Sequence, residues 1–316
     1  MTIAFLFPGQ GSQAIGMGRE LYERSAAARA VYDAADAALG FSIARLCFDG
    51  PDAALTATEN AQPALLVTSI ALLAALAERQ STDYVKYSAR VASCCAGHSL
   101  GEYSALTAAG ALDLAGAVTL VRRRGELMAA ARDGAMAAVL GLDEERLEFV
   151  CRDASGADGT VVIANFNAPG QLVISGDDAA VARVEPLAKA AGAKRVIALS
   201  VSAAFHSPLM AAAATGMADA LASAAIGEQR IPVIGNVDAA LLADAAAIRA
   251  ELAAQITAPV RWIASIRAMV TRGVTTFVEI GPGAVLTGLV RRITPDARLV
   301  NVKDLASLEA ADFDAL

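Results

Sequence analysis

Short apolar runs alternate with longer amphipathic segments along most of the chain. The runs Ile3–Phe7, 91–96 and Thr276–Ile280 have the length and continuous hydrophobicity of buried strands. Longer segments such as 113–131 have apolar residues at helical spacing. Strands that alternate with helices are typical of a mostly parallel sheet covered on both faces, so the predicted fold class is α/β.

The middle of the chain follows a different pattern. Residues 134–199 predict the order β-α-β-β-α-β, which is typical of a ferredoxin-like fold. The predicted elements are a strand at 135–140, a helix at 144–152, strands at 161–166 and 171–175, a helix at 179–191 and a strand at 195–199. We therefore predict two domains: a large α/β domain formed by residues 1–131 and 200–316, and an inserted small domain formed by residues 132–199.

The pentapeptide Gly-His-Ser-Leu-Gly at 97–101 is the first candidate for chemistry. It follows the apolar run 91–96 and precedes a helix-forming run that ends at Gly110. Between a strand and a helix, Gly-x-Ser-x-Gly is typical of a nucleophile elbow, whose glycines avoid clashes in a sharp turn that exposes the serine hydroxyl. Ser99 is therefore the candidate nucleophile. The N–H of Leu100, at the start of the next helix, would point at an oxyanion formed there.

Only two histidines, His98 and His206, are available as a base for this serine. Neighbouring side chains diverge at a tight elbow, so we expect His98 to point away and His206 to be the base. Ser207 and Pro208 predict an N-cap and a first helical position directly after His206. The positive end of that helix would favour the neutral ring. A structural histidine is the alternative at both positions.

The loop after the first strand permits two interpretations. Gly9, Gly11 and Ala14 match the relaxed dinucleotide fingerprint Gly-x-Gly-x-x-Ala. That fingerprint also needs an acidic residue at the end of a second strand, whereas segment 31–39 looks helical. In the other interpretation the loop faces the elbow, and the N–H of Gln10 is a second oxyanion donor.

Composition excludes several classes of protein. The chain of 316 residues is 56% hydrophobic and has a net charge of −7, which is typical of a globular protein with a large core and unlike a general nucleic-acid binder. The longest apolar run, 63–77, is shorter than the roughly 20 residues that span a bilayer, so we predict no membrane span. No basic segment precedes Ile3, so we predict no secretion signal. The four cysteines lack metal-ligand spacing, which favours a reduced, cytoplasmic setting.

Four stretches carry a resemblance to a known family. They are Phe-Pro-Gly-Gln-Gly-Ser-Gln at 7–13, Gly-His-Ser-Leu-Gly-Glu-Tyr at 97–103, Asn-Phe-Asn-Ala-Pro-Gly-Gln at 165–171 and Ala-Phe-His-Ser at 204–207. In this order, and nearly end to end, the chain resembles the malonyl-CoA:acyl carrier protein transacylases. The resemblance implies an α/β-hydrolase-like acyltransferase core with an inserted ferredoxin-like domain. Segment 80–93 departs from the family, because it is longer and more polar than the usual link.

The resemblance also implies roles for particular residues. Ser99 would be acylated, His206 would be its base, and Gln10 with the Leu100 amide would form the oxyanion hole. Gln255 matches the position whose carbonyl holds the histidine. A carbonyl suits that role, because it fixes the imidazole tautomer without adding a negative charge.

Arg124 matches the family's ligand for the free carboxylate of the substrate. Helical spacing places Arg124 at the edge of the apolar face of segment 113–131, whereas Arg122 and Arg123 point to solvent. A guanidinium on a largely buried face needs a carboxylate, which its planar fork binds through two hydrogen bonds. An internal acid is the alternative partner.

The small domain is expected to complete the site. Its edge, with Asn165 and Asn167, would close over the cleft that contains Ser99, and Asn165 is a candidate substrate contact.

The activity implied is transfer of a malonyl group from malonyl-CoA to the phosphopantetheine thiol of an acyl carrier protein, through malonyl-Ser99, for fatty-acid synthesis. No cofactor, metal, nucleic acid or membrane is expected to take part. Three alternatives stay open: a freestanding transacylase of polyketide synthesis, a serine hydrolase or thioesterase that uses water, and a nicotinamide-dependent oxidoreductase built on the Gly9 loop. A simple esterase has no need of a buried cation such as Arg124.

Overall fold

Two β-sheets organise the chain in the computed structural model, which describes residues 2–131, 133–201 and 203–311. The larger sheet has five strands, and all its strand pairs run parallel. In spatial order the strands are β7 (Val233–Ile234), β2 (Cys94–Gly97), β1 (Ile3–Phe7), β8 (Thr276–Ile280) and β9 (Arg298–Val302).

Helices surround this sheet and also cover the smaller one. In chain order they are α1 (Arg19–Arg24), α2 (Ala26–Leu39), α3 (Ile43–Asp49), α4 (Asp52–Thr56), α5 (Thr58–Glu78), α6 (Tyr84–Val91), α7 (Gly101–Ala108), α8 (Leu114–Ala130), α9 (Glu144–Ala154), α10 (Asp178–Ala190), α11 (Ala211–Ser223), α12 (Ala245–Ala254), α13 (Trp262–Thr271), α14 (Val285–Ile293) and α15 (Leu305–Ala310).

Both faces of the larger sheet are buried, as the alternation of side chains along β1 shows. Phe5 and Phe7 enter a hydrophobic core with residues of α5 and α7. Leu6 enters a separate core on the other face, with Trp262 of α13 and Leu286 of α14. The predicted α/β class with a mostly parallel, doubly covered sheet is confirmed.

The smaller sheet comes from one continuous part of the chain. Its strands, β3 (Ala135–Leu140), β4 (Val161–Ala168), β5 (Gln171–Gly176) and β6 (Arg195–Ala198), pair antiparallel in the order β4-β5-β3-β6. Helices α9 and α10 bury Leu147 and Val184 against it. The predicted β-α-β-β-α-β order is confirmed, with ends that shift by up to two residues. The domain boundaries at 131/132 and 199/200 stay a prediction.

The predicted strand 91–96 is wrong at its beginning. β2 begins only at Cys94, because Val91 is the last residue of α6. The N-cap of that helix is Asp83, whose side chain accepts a hydrogen bond from the N–H of Lys86. The polar segment 80–93 thus contains a short helix that leads into the sheet.

Helix α5 is the one helix among residues 2–131, 133–201 and 203–311 that is long and apolar enough to cross a membrane. At 21 residues, the helix is longer than the apolar run 63–77 seen in the sequence. Within the structure, 94% of its most apolar stretch of 18 residues is buried, and the helix packs against α2, α7 and α8. Burial on every side accounts for its uniform apolarity, since a helix that is hydrophobic all round belongs to a core or a membrane.

Candidate active site

The elbow forms at the carboxyl end of β2, where the chain turns sharply into α7. Ser99 has a φ of 51°, in the left-handed region. A Cβ at Gly97 would lie 1.8 Å from the carbonyl carbon of Gly101, and a Cβ at Gly101 would lie 2.1 Å from the carbonyl oxygen of Phe7. Both glycines are therefore required by close backbone approach, as the motif predicts.

Ser99 and His206 meet at this edge of the sheet. The Oγ atom of Ser99 lies 2.8 Å from Nε2 of His206. On the other side of the ring, Nδ1 lies 2.8 Å from the backbone oxygen of Gln255 and 3.1 Å from that of Ala258. Carbonyl oxygens only accept, so the proton is on Nδ1 and Nε2 is free to accept the proton of Ser99.

His206 is held in the neutral form. Burial, and next the positive charge of Arg124, lower its pKa from 6.5 to about 3. The expected N-cap is present: Ser207 caps a short 3₁₀ helix that begins at Pro208 and leads into α11. The helix terminus predicted from the sequence lies where expected, but the pKa of His206 is lowered by burial and by the charge of Arg124 instead.

Arg124 lies in the same place, and its side chain is enclosed by neutral groups. The residue is 1% exposed. Its Nη1 donates to Oε1 of Gln62 at 2.7 Å, and its Nη2 donates to Oε1 of Gln255 at 2.8 Å and to Oγ of Ser99 at 3.0 Å. Within the described residues, Arg124 forms no ion pair and its Nε–H has no partner. Buried Glu102 interacts electrostatically with the guanidinium, but no acid of the described residues forms an ion pair with it.

The neighbouring arginines differ from Arg124 as predicted from helical spacing. The Arg122 side chain is 27% exposed and pairs with Glu126 at 2.7 Å. The Arg123 side chain is 52% exposed. Only Arg124 turns its charge inward.

The N-terminal loop packs directly against the elbow. A Cβ at Gly9 would lie 2.6 Å from the backbone oxygen of His98. Gln10 and Leu100 line the same cavity of about 310 Å³ as Ser99, and Leu100 is the N-cap of α7. The first N–H groups of a helix have no partner within it, so this N–H points out of the helix end.

The dinucleotide interpretation lacks its second half. Residues 31–39 belong to α2, and the helix that follows the Gly9 loop begins only at Arg19. The acidic residues at the expected distance, Asp33 and Asp36, therefore stand on a helix rather than at a strand end.

The small sheet reaches the site through β4. The N–H of Phe166 donates to the oxygen of Val260 at 2.9 Å, and the N–H of Val260 donates to the oxygen of Ala164 at 2.8 Å. Between these bonds, Asn165 is 6% exposed and lines the cavity of Ser99. Val260 lies two residues from Ala258, whose oxygen faces His206, so β4 is tied to the segment that orients the base.

His98 makes a different contact from His206. Its Nε2 lies 2.8 Å from Oδ1 of Asn167, and its ring packs edge-on against Trp262. Burial lowers the pKa of His98, so this ring is neutral too. His98 joins the elbow to the small sheet through Asn167 and also lines the cavity of Ser99, but it is His206 that bonds Oγ of Ser99.

Two residues of this constellation were not identified from the sequence. Gln62 holds Arg124, and Asn236 accepts a hydrogen bond from the N–H of Ser99 at 2.7 Å. Asn236 follows the two-residue strand β7 at the edge where all parallel strands end, which is a usable signal. Gln62 interrupts an apolar helix, which is a weaker one.

Metal-binding clusters were sought across residues 2–131, 133–201 and 203–311. This part of the chain contains no group of three or more His, Cys, Asp or Glu side chains arranged to hold a metal ion. The four cysteines, Cys47, Cys94, Cys95 and Cys151, are buried free thiols.

Known proteins match the chain nearly end to end. An acyl transferase domain family covers residues 4–309. The malonyl CoA-acyl carrier protein transacylase of Bacillus subtilis is 47% identical over 313 residues, 98% of this chain and 96% of that protein. The crystal structure of acyl-carrier-protein-S-malonyltransferase from Bartonella henselae superposes with a TM-score of 0.93 at 43% identity and covers 98% of both chains.

A further solved structure contains a carrier. It is a type II PKS acyl-carrier protein in complex with its malonyl-transacylase, which matches with a TM-score of 0.92 at 39% identity over 98% of this chain and 99% of that chain. The fold, the elbow motif and these matches all indicate the same family. The chain belongs to the acyl transferase family and, within it, to the malonyl CoA-acyl carrier protein transacylases.

Proposed function

We propose that this enzyme transfers the malonyl group of malonyl-CoA to the phosphopantetheine thiol of an acyl carrier protein and so supplies fatty-acid synthesis. One observation carries the choice of substrate: the guanidinium of Arg124 is buried beside Oγ of Ser99 among neutral partners only. A buried cation that forms no ion pair within the described residues fits a carboxylate brought by the substrate. The names of the relatives supply malonyl as the acyl group and acyl carrier protein as the acceptor.

In the first step, Ser99 attacks the thioester carbonyl of malonyl-CoA. Its Oγ–H proton passes to Nε2 of His206 as the new C–O bond forms. The N–H groups of Gln10 and Leu100 hold the oxyanion of the tetrahedral intermediate. The C–S bond then breaks, and the coenzyme A thiolate leaves with the proton from His206.

Arg124 changes partner during this step. In the free enzyme its Nη2 donates to Oγ of Ser99. Once Oγ becomes an ester oxygen it is a weaker acceptor, and the guanidinium turns to the distal carboxylate of the malonyl group. Asn165, on β4, lines the cavity, and we assign it a contact with the bound acyl chain.

In the second step, the phosphopantetheine thiol of the carrier enters the cavity. It gives its proton to Nε2 of His206 and attacks the ester carbonyl. Collapse of the second tetrahedral intermediate breaks the bond to Oγ, which takes the proton back from His206. The enzyme is restored, and no cofactor is consumed in either step. We place this reaction in the cytoplasm, consistent with four buried free thiols.

The test of this function separates transfer from hydrolysis. The enzyme is incubated with malonyl-CoA and the phosphopantetheinylated carrier, and mass spectrometry quantifies malonyl-carrier and free malonate. We expect malonyl-carrier to account for nearly all of the malonyl-CoA consumed. Accumulation of free malonate with an unacylated carrier would instead identify a serine hydrolase. A control without enzyme measures spontaneous hydrolysis.

The lowered pKa of His206 predicts a broad pH profile. A histidine base works when neutral, which is above its pKa, so a pKa of about 3 keeps it competent well below the ordinary value of 6.5. We expect kcat/KM for malonyl-CoA to stay level from about pH 8 to about pH 5, because this constant reports the groups of the free enzyme. Initial rates measure it, and circular dichroism at each pH verifies folding. A decline centred near 6.5 would show that the imidazole is not shielded.

A further inference from the structure

A buried polar cluster supports the elbow but takes no part in the steps above. It consists of Asn236, Glu102 of α7 and Glu251 of α12. Asn236 and Glu102 are fully buried and Glu251 is 9% exposed. None of the three lines the cavity that contains Ser99. The cluster therefore does not contact substrate directly, and its role must follow from the hydrogen bonds that it makes to the elbow.

The side chain of Asn236 spans the two sides of the turn. Its Oδ1 accepts a hydrogen bond from the N–H of Ser99 at 2.7 Å, and its Nδ2 donates to the backbone oxygen of Gly97 at 2.8 Å. An N–H only donates and a carbonyl only accepts, so these two bonds fix the orientation of the amide. Asn236 thus links the end of β2 to the nucleophile through these two hydrogen bonds.

Ser99 needs such support because its backbone is strained. A φ of 51° is unfavourable for a residue with a Cβ and persists only where the surroundings impose it. The carbonyl oxygen of Ser99 is held as well, by Nε2 of Gln255 at 3.1 Å. Two side-chain amides therefore grip the N–H and the C=O of the same residue.

The backbone of Asn236 is itself anchored. Its N–H lies 2.6 Å from Oε1 of Glu251 and 3.0 Å from Oε2 of Glu102. Its carbonyl oxygen accepts from the N–H of Arg261 at 2.9 Å. With both backbone groups bonded, the side chain of Asn236 has little freedom to follow a displacement of Ser99.

The two carboxyl groups face the same N–H of Asn236. Glu251 also accepts from the N–H of Val237 at 2.8 Å, whereas Oε1 of Glu102 has no partner within the described residues. Burial and the neighbouring Glu251 raise the pKa of Glu102, and burial also raises the pKa of Glu251. Both shifts disfavour two negative charges around one N–H.

We propose that Asn236, anchored by Glu102 and Glu251, is a positioning residue that holds Ser99 in its left-handed conformation for attack. The proposal rests on the proposed acylation of Ser99. It assigns Asn236 to the geometry of the nucleophile and not to substrate binding. Its loss should slow the chemical step and leave the half-saturating substrate concentration unchanged.

The test compares Asn236→Ala with the parent in single-turnover acylation by malonyl-CoA, followed by intact-mass measurement of the adduct. We expect the rate to fall about 50-fold, because small misplacements of a reacting group cost one to two orders of magnitude. The half-saturating malonyl-CoA concentration should stay within about twofold of the parent value. The final amount of adduct should be complete, since the serine itself is intact.

A matched control loses a buried hydrogen bond elsewhere. Thr68, in the core helix α5, bonds Tyr32 at 2.8 Å and donates to the backbone oxygen of Ala64 at 2.8 Å, and Thr68→Val removes both bonds without a change of shape. It should lower the melting temperature yet acylate within about twofold of the parent. If Asn236→Ala acylates as fast as Thr68→Val, Asn236 is merely structural and the proposal is overturned.

Asn236→Asp gives a second measurement, which also serves if the alanine variant does not fold. Its carboxyl oxygen still accepts from Ser99, but only the protonated acid donates to Gly97. The charged or titratable groups around it are Glu102 and Glu251, Asp238 next to Glu251 and, beyond Ser99, Arg124 and His206.

The two acids favour the protonated form of the new carboxyl. We therefore expect Asn236→Asp to acylate faster than Asn236→Ala and to lose about tenfold in rate between about pH 6 and about pH 9, while the parent does not. A rate for Asn236→Asp that does not change with pH would contradict the proposal.

Labelling with phenylmethanesulfonyl fluoride separates this inference from the proposed function. The reagent modifies an activated serine and needs no acyl substrate. Slower labelling of Ser99 in Asn236→Ala supports the positioning role even if malonyl-CoA forms no adduct with the parent, an outcome that would refute only the function. If the parent forms the malonyl adduct but Asn236→Ala and the parent are labelled at the same rate, only the positioning role is refuted.

Discussion

Ser99→Ala is expected to lose at least about 10⁴-fold in malonyl transfer, because removal of the nucleophile from a serine-histidine pair leaves only binding and oxyanion stabilisation. The hydroxyl is the only group at the elbow that His206 can deprotonate: Oγ and Nε2 are 2.8 Å apart, and the other face of the ring is occupied by carbonyl oxygens. Without Oγ no malonyl ester forms, so the two-step route is closed.

The measurement has two parts. Steady-state transfer to the carrier gives the loss of rate, and intact mass after brief exposure to malonyl-CoA gives the adduct. The parent should gain one malonyl group and Ser99→Ala none. The fold should persist, because Arg124 keeps its hydrogen bonds to Gln62 and Gln255.

Ser104→Ala is the matched control. Ser104 lies on α7, five residues after the nucleophile, is 1% exposed, and its hydroxyl has no partner within the described residues. The same chemical change there should leave transfer within about twofold of the parent. If Ser99→Ala still forms a malonyl adduct, the acylated group lies elsewhere and the elbow is not the site of acylation.

The sequence is sufficient for the chemistry that depends on local pattern. The glycines of the elbow reveal the turn because a Cβ at Gly97 or Gly101 would overlap backbone. His206 follows from scarcity, since only two histidines exist and one adjoins the serine. Arg124 is singled out from three consecutive arginines by helical spacing alone, and the structure places it 1% exposed.

Contacts made by distant parts of the chain are less visible. Asn236 lies 137 residues from the N–H that it binds, and Gln62 lies 62 residues from Arg124. Neither position has a local pattern that names its partner, because only the parallel order β7-β2-β1 brings the strand ends together. The misplaced start of β2 has a local cause instead: the N-cap Asp83 begins a helix in a segment whose last residues are apolar.

Replacing Arg124 is expected to change the choice of acyl group rather than only the rate. Arg124→Met should lower kcat/KM for malonyl-CoA about 10³-fold, or roughly 4 kcal/mol, as the loss of one partner of a buried charge pair does. Acylation by acetyl-CoA should not fall with it, because acetyl carries no carboxylate and leaves the native guanidinium unpaired. The preference for malonyl over acetyl should therefore collapse or reverse.

Two companion variants identify the cause. Arg124→Lys keeps the charge but loses the planar fork, so it should retain part of the malonyl preference. Arg123→Met removes the neighbouring arginine, whose side chain is 52% exposed and near Glu126, and should change neither substrate. Competition between malonyl-CoA and acetyl-CoA, with both adducts quantified by intact mass, measures the preference directly.

If Arg124→Met lowered both acylations equally, the guanidinium would act through Oγ of Ser99, to which it donates at 3.0 Å, and the carboxylate would bind another group. A selective loss of malonyl assigns the buried charge to the substrate, because a change in the nucleophile alone cannot distinguish two thioesters that differ only beyond the reacting carbonyl.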